Sequence, residues 1–526
     1  MSAIEPLNSL DAAPEPHSLT RQQWRLLLLT TAVSSSCGLA AELLLGTLAS
    51  YLVGNQALAY GVAVGVFLAA MGLGAYLSRF VALQGDRPQQ QRQLLRCFLQ
   101  VELAIAPLTA FLPLGLFALF VAGGTLWPGL FLATVILGTL AGMEVPLLTR
   151  LVEQEKGLRD ALSGVLALDY VGALCGSIAF PVLLLPLIGL FPSAAAIGSL
   201  PAFMVFFLGR EFPRLRRWSH YGLAVAIALL VFAPLSVPLS DRLENSLYGA
   251  PVVTRLQSAY QRVVVTRMGR DVRLFLDGDL QLSTLDEYRY HEALVHPVMS
   301  ANPHRRQVLL LGAGDGMALR EVLKWPEVER VVVLELDPTV VKLAQRHPFL
   351  RRSNQGAFED PRVEVQFADA FLAVPKLPTT FDVIIADFPD PDRDTIAKLY
   401  TQGFYQQLVS RLAPDGVMVT QASSSFFAPK VMACIAATLQ SVGMAVHPYS
   451  VDVPSFGPWG FVLAARSPLD LSALTLPVET RFLTEPLLAQ IFVLPKDMQP
   501  QPVEINRLAR PVIVRYQSDP HWAVYY

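Results

Sequence analysis

Hydrophobic and polar positions divide this chain near residue 240. Before that point apolar residues run in long stretches, roughly 26–52, 58–77, 97–121, 126–148, 162–185, 187–208 and 221–239. Each is long enough to cross about 30 Å of hydrocarbon as a helix, so the first half predicts an all-α transmembrane bundle of seven helices. Beyond it the pattern changes. From Pro251 to Asp279 the short segments QRVVVTRM and DVRLFLDGD, with an Asp277-Gly278 turn signal, predict a small antiparallel β unit. From 306 onward apolar strands alternate with helices in βαβ order, which predicts a C-terminal α/β Rossmann-like domain. The expected organisation is a disordered tail over 1–23, the seven-helix domain over 24–240, the β domain over 251–300, the Rossmann-like domain over 301–498 and a C-terminal tail over 499–526.

Composition sharpens this division. The 526 residues are 53% hydrophobic and only 16% charged, against about 25% charged in a soluble domain. Mean hydropathy is +0.42, and the excess lies in the first half. The first apolar stretch is too long for a removable signal peptide and lacks a clear small-residue cleavage site. Arg21, Arg25, Arg79, Arg87, Arg92, Arg96, Arg150, Lys156, Arg159, Arg210, Arg214, Arg216 and Arg217 all fall in alternate connections, while the short loops near 54, 123 and 186 carry no Lys or Arg. That asymmetry assigns the basic side to the cytoplasm and makes the lipid bilayer of a cell inner membrane the first expected partner. Cys37, Cys97, Cys175 and Cys434 form no disulfide framework or zinc spacing, and the eight histidines lack metal-site spacing. A net charge of −2 with no basic run in the soluble half argues against nucleic acid.

The soluble half carries an ordered set of acids. The segments VLLLGAGDG, VVVLELD, FADAF and FDVIIADFPDP put Asp315, Glu335, Asp369, Asp387 and Asp390 at the C-terminal ends of successive expected strands, where open parallel sheets bind ligands. Gly312, Gly314 and Gly316 allow a tight turn into a helix starting near Met317, and Glu335 follows about 20 residues later, where a carboxylate typically grips ribose hydroxyls. The loop lacks the third glycine and the Lys/Ser of nucleotide-phosphate loops, and Asp315 stands where a diphosphate would be repelled. A cationic or zwitterionic nucleoside such as an S-adenosyl compound fits better than NAD or ATP.

The same residues sit within longer motifs. These are Tyr260-Gln261, Leu276-Asp277-Gly278 with Gln281, Asp286-Glu287 followed by Tyr290-His291-Glu292, and GAGDG at 312–316. Glu335-Leu336-Asp337, Asp369-Ala370, Asp387-Phe-Pro-Asp390-Pro391, Leu399-Tyr400 with Phe404-Tyr405, and Phe492-Val-Leu-Pro495 complete the set. In this order, over about 251–498, they resemble the polyamine aminopropyltransferase (spermidine synthase) family, in its membrane-bound bacterial branch with seven N-terminal helices. The resemblance implies an S-adenosylmethionine methyltransferase-type fold. It also implies transfer of the aminopropyl group of decarboxylated S-adenosylmethionine, a co-substrate, to putrescine or a similar amine, with no metal or resident cofactor and with a homodimer open. By the same resemblance Asp315 would hold the aminopropyl end of the donor, Glu335 its ribose hydroxyls and Asp369 its adenine amino group. Gln261, Tyr290 and His291 would line that cleft, Asp387 would take a proton from the incoming amine, and Asp390 would help bind it. A diamine arrives as a dication and is nucleophilic only after losing a proton, so a carboxylate at the attacking end makes chemical sense.

Other readings stand beside these. Acids at the positions of Glu335 and Asp369 occur across nucleoside-binding methyltransferase folds, Asp387 could cap a helix, and Tyr290 could be core. Ala313 and Met317 replace glycines of the usual loop, Phe388-Pro389 replace small polar residues, and Val453 stands where soluble members usually carry a tyrosine. Glu42, Glu102, Glu144 and Asp169 interrupt otherwise uncharged spans. They suggest an acidic vestibule for an amine cation, or else structural pairing. The alternative function is therefore a membrane amine transporter or sensor whose nucleoside-fold domain binds ligand without turnover. Seven spans from a cytoplasmic N-terminus place 240–526 outside, although S-adenosyl metabolites are made in the cytosol. Either one segment within 162–208 does not span, or the domain faces the other compartment.

Overall fold

The computed structural model describes residues 20–53, 56–81, 85–123, 126–156 and 158–519. Most of the expected tail at 1–23, and residues 520–526, lie outside the described residues. The chain divides between Gly249 and Ala250 into two compact units.

The first unit holds seven helices long and apolar enough to cross a membrane. They are α1 (Arg21–Val53), α2 (Gln56–Ser78), α3 (Arg87–Val121), α4 (Leu126–Lys156), α5 (Leu158–Ala179), α6 (Leu190–Glu211) and α7 (Arg216–Tyr248). α5 continues through a π turn at Phe180–Leu184 and a last turn at Leu185–Ile188, where Pro181 and Pro186 cannot donate to a regular ladder. The pair over 162–208 is thus two full helices, separated by Gly189 at φ 84°.

Small residues let these helices meet backbone to backbone. A Cβ on Gly172 or Gly176 of α5 would lie 2.1 Å from the carbonyl oxygens of Ala32 and Ser36 of α1. Such seams hold helices together where lipid removes any hydrophobic drive to associate. The basic ends gather at one face: Gln22 donates to Glu211 at 3.2 Å, and Arg150 donates to the carbonyls of Ser78 and Val81 at 3.0 and 3.3 Å. α7 packs antiparallel on α6, with Gly209 against Ser219 and Gly222 against Ala202 and Phe206. It therefore runs away from the basic face, and the chain leaves the bundle at the opposite one. Three of the four acids within these apolar helices converge. Glu102 accepts a hydrogen bond from Ser34 Oγ, Ser35 Oγ donates to the carbonyl of Asp169 at 2.8 Å, and Glu144 lies within electrostatic reach of Glu102 and Asp169. Glu42 is buried about two turns beyond Ser34 on α1.

The second unit opens with a four-stranded antiparallel meander, β1 (Val252–Gln257), β2 (Arg262–Met268), β3 (Asp271–Leu276) and β4 (Asp279–Ser283). Asp277 and Gly278 both have positive φ, 51° and 99°, as a two-residue hairpin turn demands. The inner face of this meander, including Val265, Leu274 and Leu282, packs on Met317, Val340 and Leu343. Then follow α8 (Glu287–Ala301), β5 (Gln307–Gly312), α9 (Met317–Leu323), β6 (Arg330–Glu335), α10 (Pro338–Arg346), β7 (Val363–Phe367) and β8 (Phe381–Asp387). Further along come α11 (Gln402–Arg411), β9 (Leu412–Ser424), α12 (Pro429–Gln440), β10 (Ala445–Val453), β11 (Gly457–Ala465) and the short α13 (Val512–Gln517), with other one- and two-turn helices in the connections. The large sheet has the order β10-β11-β9-β8-β5-β6-β7, and β11 runs opposite to the other six strands. Strands such as VLLLG and VIIA are apolar on both faces because each face is covered by a separate core. β5 lies between β6 and β8, so the strand order reverses there and opens a crevice at the strands' C-terminal ends.

Candidate active site

The crevice is built by five acids at these strand ends. Glu335 and Asp387 are the last residues of β6 and β8; Asp315, Asp369 and Asp390 follow β5, β7 and β8 by two or three residues. The loop after β5 is tight. A Cβ on Gly312 would lie 2.2 Å from the carbonyl oxygen of Asp387, and one on Gly314 would lie 2.7 Å from Glu335 Oε2. Close backbone approach brings the acids of three strands together. Ala313 adopts φ 59°, and the side chains of Ala313 and Met317 are buried in the cores on either side, so neither fills the crevice.

On the β6–β7 side each acid is held by its own turn. Asp315 Oδ1 accepts from Met317 N at 2.8 Å, Glu335 Oε1 from Asp337 N at 3.0 Å, and Asp369 Oδ1 from Phe371 N at 2.9 Å. These are local carboxylate-to-backbone bonds two residues ahead, and for Asp369 the bond caps the helical turn Ala370–Ala373. Burial pushes Glu335 up to about 7, against the backbone bonds from Asp337 and Leu336. Two side chains from elsewhere reinforce this rim. Gln261 donates to Asp337 Oδ2 at 3.1 Å, and Lys398 pairs with Asp369 Oδ2 at 2.6 Å.

The β8 side is assembled from distant segments. Tyr290 of α8 donates its hydroxyl to Asp387 Oδ1 at 2.6 Å, and its ring packs against Phe456, Trp459 and Phe461. Burial raises Asp387 to about 6; Asp315 adds to this, while His291 and the Tyr290 bond hold it down. His291 lies 4.0 Å from Asp315 Oδ2, and its Nδ1 is bonded by Glu287 Oε2 at 2.9 Å. Burial alone would depress His291, but the Glu287 bond and the charges of Asp315, Glu287 and Asp387 raise it to about 9, so it faces the crevice as a cation at neutral pH. Glu287 is in turn gripped by Arg320 through both carboxylate oxygens, at 2.9 and 3.0 Å. Asp390 accepts from Ser423 Oγ at 3.0 Å, Gln421 Nε2 at 3.3 Å and Gln517 Nε2 at 3.0 Å. Burial nevertheless raises it to about 7. Phe388 and Val453 point into the cores, so neither substitution leaves a free side chain in the crevice.

All eight residues singled out in the sequence therefore fall around one crevice, with Gln261 at its edge. Glu287 was named only as a motif residue with no role, and Arg320, Lys398, Gln421, Ser423 and Gln517 were not singled out. The spacing of Glu287 and His291, four apart on one helix face, was readable in advance. The others come from segments 29 to 127 residues away from the acids they bond, and nothing local marks them.

A mostly parallel open sheet with a glycine turn after its switch-point strand and five acids at the strand ends is the architecture of an α/β transferase with a nucleoside-type crevice. Residues 287–473 match the spermine/spermidine synthase domain. The "Polyamine aminopropyltransferase" of Leptospira interrogans serogroup Icterohaemorrhagiae serovar copenhageni is 37% identical over 94% of this chain and 98% of that protein. "Polyamine aminopropyltransferase 1" of Ralstonia nicotianae is 40% identical over 97% of both chains. A solved spermidine synthase in complex with the transition-state analogue AdoDATO is 30% identical, covering 46% of this chain and 85% of that one, with a TM-score of 0.44. The chain belongs to the polyamine aminopropyltransferase family. It is a transferase of polyamine biosynthesis that moves an aminopropyl group to an amine, with decarboxylated S-adenosylmethionine as a co-substrate.

Proposed function

We propose that this transferase makes spermidine from putrescine, and that the two rims of the crevice divide the work. Asp315 binds the aminopropyl ammonium of the donor, Glu335 its ribose hydroxyls and Asp369 its adenine amino group, with Gln261 and His291 completing that wall. Asp387 receives the proton shed by the attacking amine; its lone pair forms the new N–C bond while the C–S bond breaks and its electron pair goes to sulfur. Methylthioadenosine leaves as a neutral thioether, so the transfer itself calls for no metal. Tyr290 orients Asp387, and Asp390 binds the acceptor. The observation that carries this reading is Asp387 itself, a strand-end carboxylate held by Tyr290 and poised near 6, which is ionised at neutral pH yet able to accept a proton. Aligning the amine with the reacting carbon can contribute about 7 to 11 kcal/mol at best.

The first unit is read as a multi-pass anchor in the cell inner membrane. The seven helices and the basic residues gathered at one end support that placement. The decisive experiment is product analysis of detergent-solubilised protein given decarboxylated S-adenosylmethionine and a panel of amines. Spermidine plus methylthioadenosine is expected from putrescine. Nucleoside binding without product from any amine would favour the sensor or transporter reading instead.

A further inference from the structure

The C-terminal segment lies beyond the residues that match the family domain, 287–473, and the chemistry above assigns it nothing. Yet it is built into the acceptor side of the crevice. Asn506 is fully buried and donates to the carbonyl of Ala397 at 3.1 Å, in the short helix that follows the Asp387–Asp390 loop. Val512 and Ile513 are buried in the same core as Phe388 and Tyr400, and Lys430 of α12 pairs with Asp519 at 2.9 Å. These contacts pin α13 so that the side chain of Gln517 reaches between Ser423 and Asp390. Its Nε2 donates to Asp390 Oδ2 at 3.0 Å, and its Oε1 lies 3.0 Å from Ser423 Oγ.

Ser423 Oγ is also 3.0 Å from Asp390 Oδ2, but a hydroxyl has one proton and serves only one acceptor at a time. When Ser423 donates to Gln517, the amide N–H of Gln517 is the donor that holds Oδ2. An amide suits this task because it orients a carboxylate without neutralising it, whereas an Arg or Lys would compete with a cationic substrate for the same oxygens. Oδ1 is left with Gln421 at 3.3 Å, a longer bond from a side chain that also reaches Phe388 O and Tyr400 Oη.

We infer that the C-terminal segment is part of the amine-acceptor site, and that Gln517 is a positioning residue that fixes Asp390 and thereby the length of diamine the enzyme prefers. The inference rests on the reading of Asp390 as the acid that binds the acceptor. One nitrogen of a diamine must stand at Asp387 for transfer, so an Asp390 held in one orientation rewards only the chain length that brings the second nitrogen to it. A freely turning Asp390 discriminates less.

The test is steady-state kinetics on the full chain in detergent with 1,3-diaminopropane, putrescine and cadaverine. Gln517→Ala, Gln517→Met and Asp390→Asn are compared with the parent. Both Gln517 variants are expected to raise KM for the preferred diamine about tenfold and to flatten the ranking of the three, with kcat within about twofold and donor KM unchanged. If Gln517→Ala fails to fold, Gln517→Met, which keeps the length but removes both hydrogen bonds, decides. Unchanged amine KM and ranking in the Gln517 variants, while Asp390→Asn raises amine KM, would overturn the inference and leave Gln517 a packing residue. An equal rise in donor and amine KM would overturn it too. Unchanged amine KM in Asp390→Asn would show that the reading of Asp390 itself had failed.

Discussion

The two rims of the crevice use the same side chain in opposite ways. On the rim proposed to hold the donor, Asp315, Glu335 and Asp369 each accept a backbone N–H from two residues ahead. On the rim proposed to hold the acceptor, Asp387 and Asp390 are held by side chains 97, 31, 33 and 127 residues away in sequence. The first arrangement is complete once a strand has turned into the next helix. The second exists only when α8, β9 and α13 have all docked. Local acids are expected to tolerate change elsewhere in the chain, whereas the acceptor rim can be altered from several places.

The difference also explains what was legible. The alternation of strands and helices along the chain, the Asp277-Gly278 hairpin and the strand-end positions of Asp315, Glu335 and Asp369 could be read because each depends on residues within a few positions of one another. The hydrophobic stretches marked the seven long helices for the same reason, and of the four acids that interrupt them, read as a vestibule or as structural pairs, Glu102, Glu144 and Asp169 converge. Gln421, Ser423 and Gln517 were not legible. A glutamine or serine in a strand or near a terminus has no local signature, and its partner is chosen by sheet order and by the path of the tail. The Glu287–His291 pair lies between these cases, visible as a spacing of four on α8 but understood only once Arg320 is seen behind it.

The sharpest way to break the comparison is to remove the acid at its centre. Asp387→Asn is expected to lower kcat by about 10³-fold, within the range of lost general-base catalysis, while donor KM changes little. Single-turnover formation of methylthioadenosine would measure it. A loss confined to donor KM would place Asp387 on the donor rim and dissolve the distinction.

Next in size is the donor rim. Glu335→Gln keeps the shape and the local turn but removes the charge, and charge-assisted bonds to ribose hydroxyls are worth about 1.5 to 3 kcal/mol. Donor KM should rise roughly tenfold or more with amine KM unchanged, as seen by titrating each substrate at saturation of the other. Raised amine KM would mean that the rims are not separable.

The hydrogen bond from Tyr290 offers a pH test with a definite sign. The proposed role of Asp387 as base requires its ionised form, so kcat/KM should fall about tenfold per unit as pH drops below about 6. Tyr290→Phe removes a donor that stabilises the anion, so it should shift this acid limb to higher pH and reduce activity several-fold at pH 7. An acid limb that stays in place in the variant would show that another group controls it.

The smallest effect is the most instructive, because one of the three acids on the donor rim, Asp369, has a long-range side-chain partner of its own. Lys398 reaches Asp369 Oδ2 from 29 residues away, while Oδ1 keeps its bond to Phe371 N. Both side chains are a little over a quarter exposed, so the pair is partly screened by solvent and is worth little by itself. If the donor rim is built locally, Lys398→Ala should leave donor KM within about threefold, because the helix cap still holds Asp369 and frees Oδ2 for the adenine amino group. Isothermal titration with methylthioadenosine, which shares that adenine, would isolate the effect from turnover. A tenfold weakening would mean that Lys398 positions Asp369 in the way Gln517 positions Asp390, and that both rims depend on remote side chains.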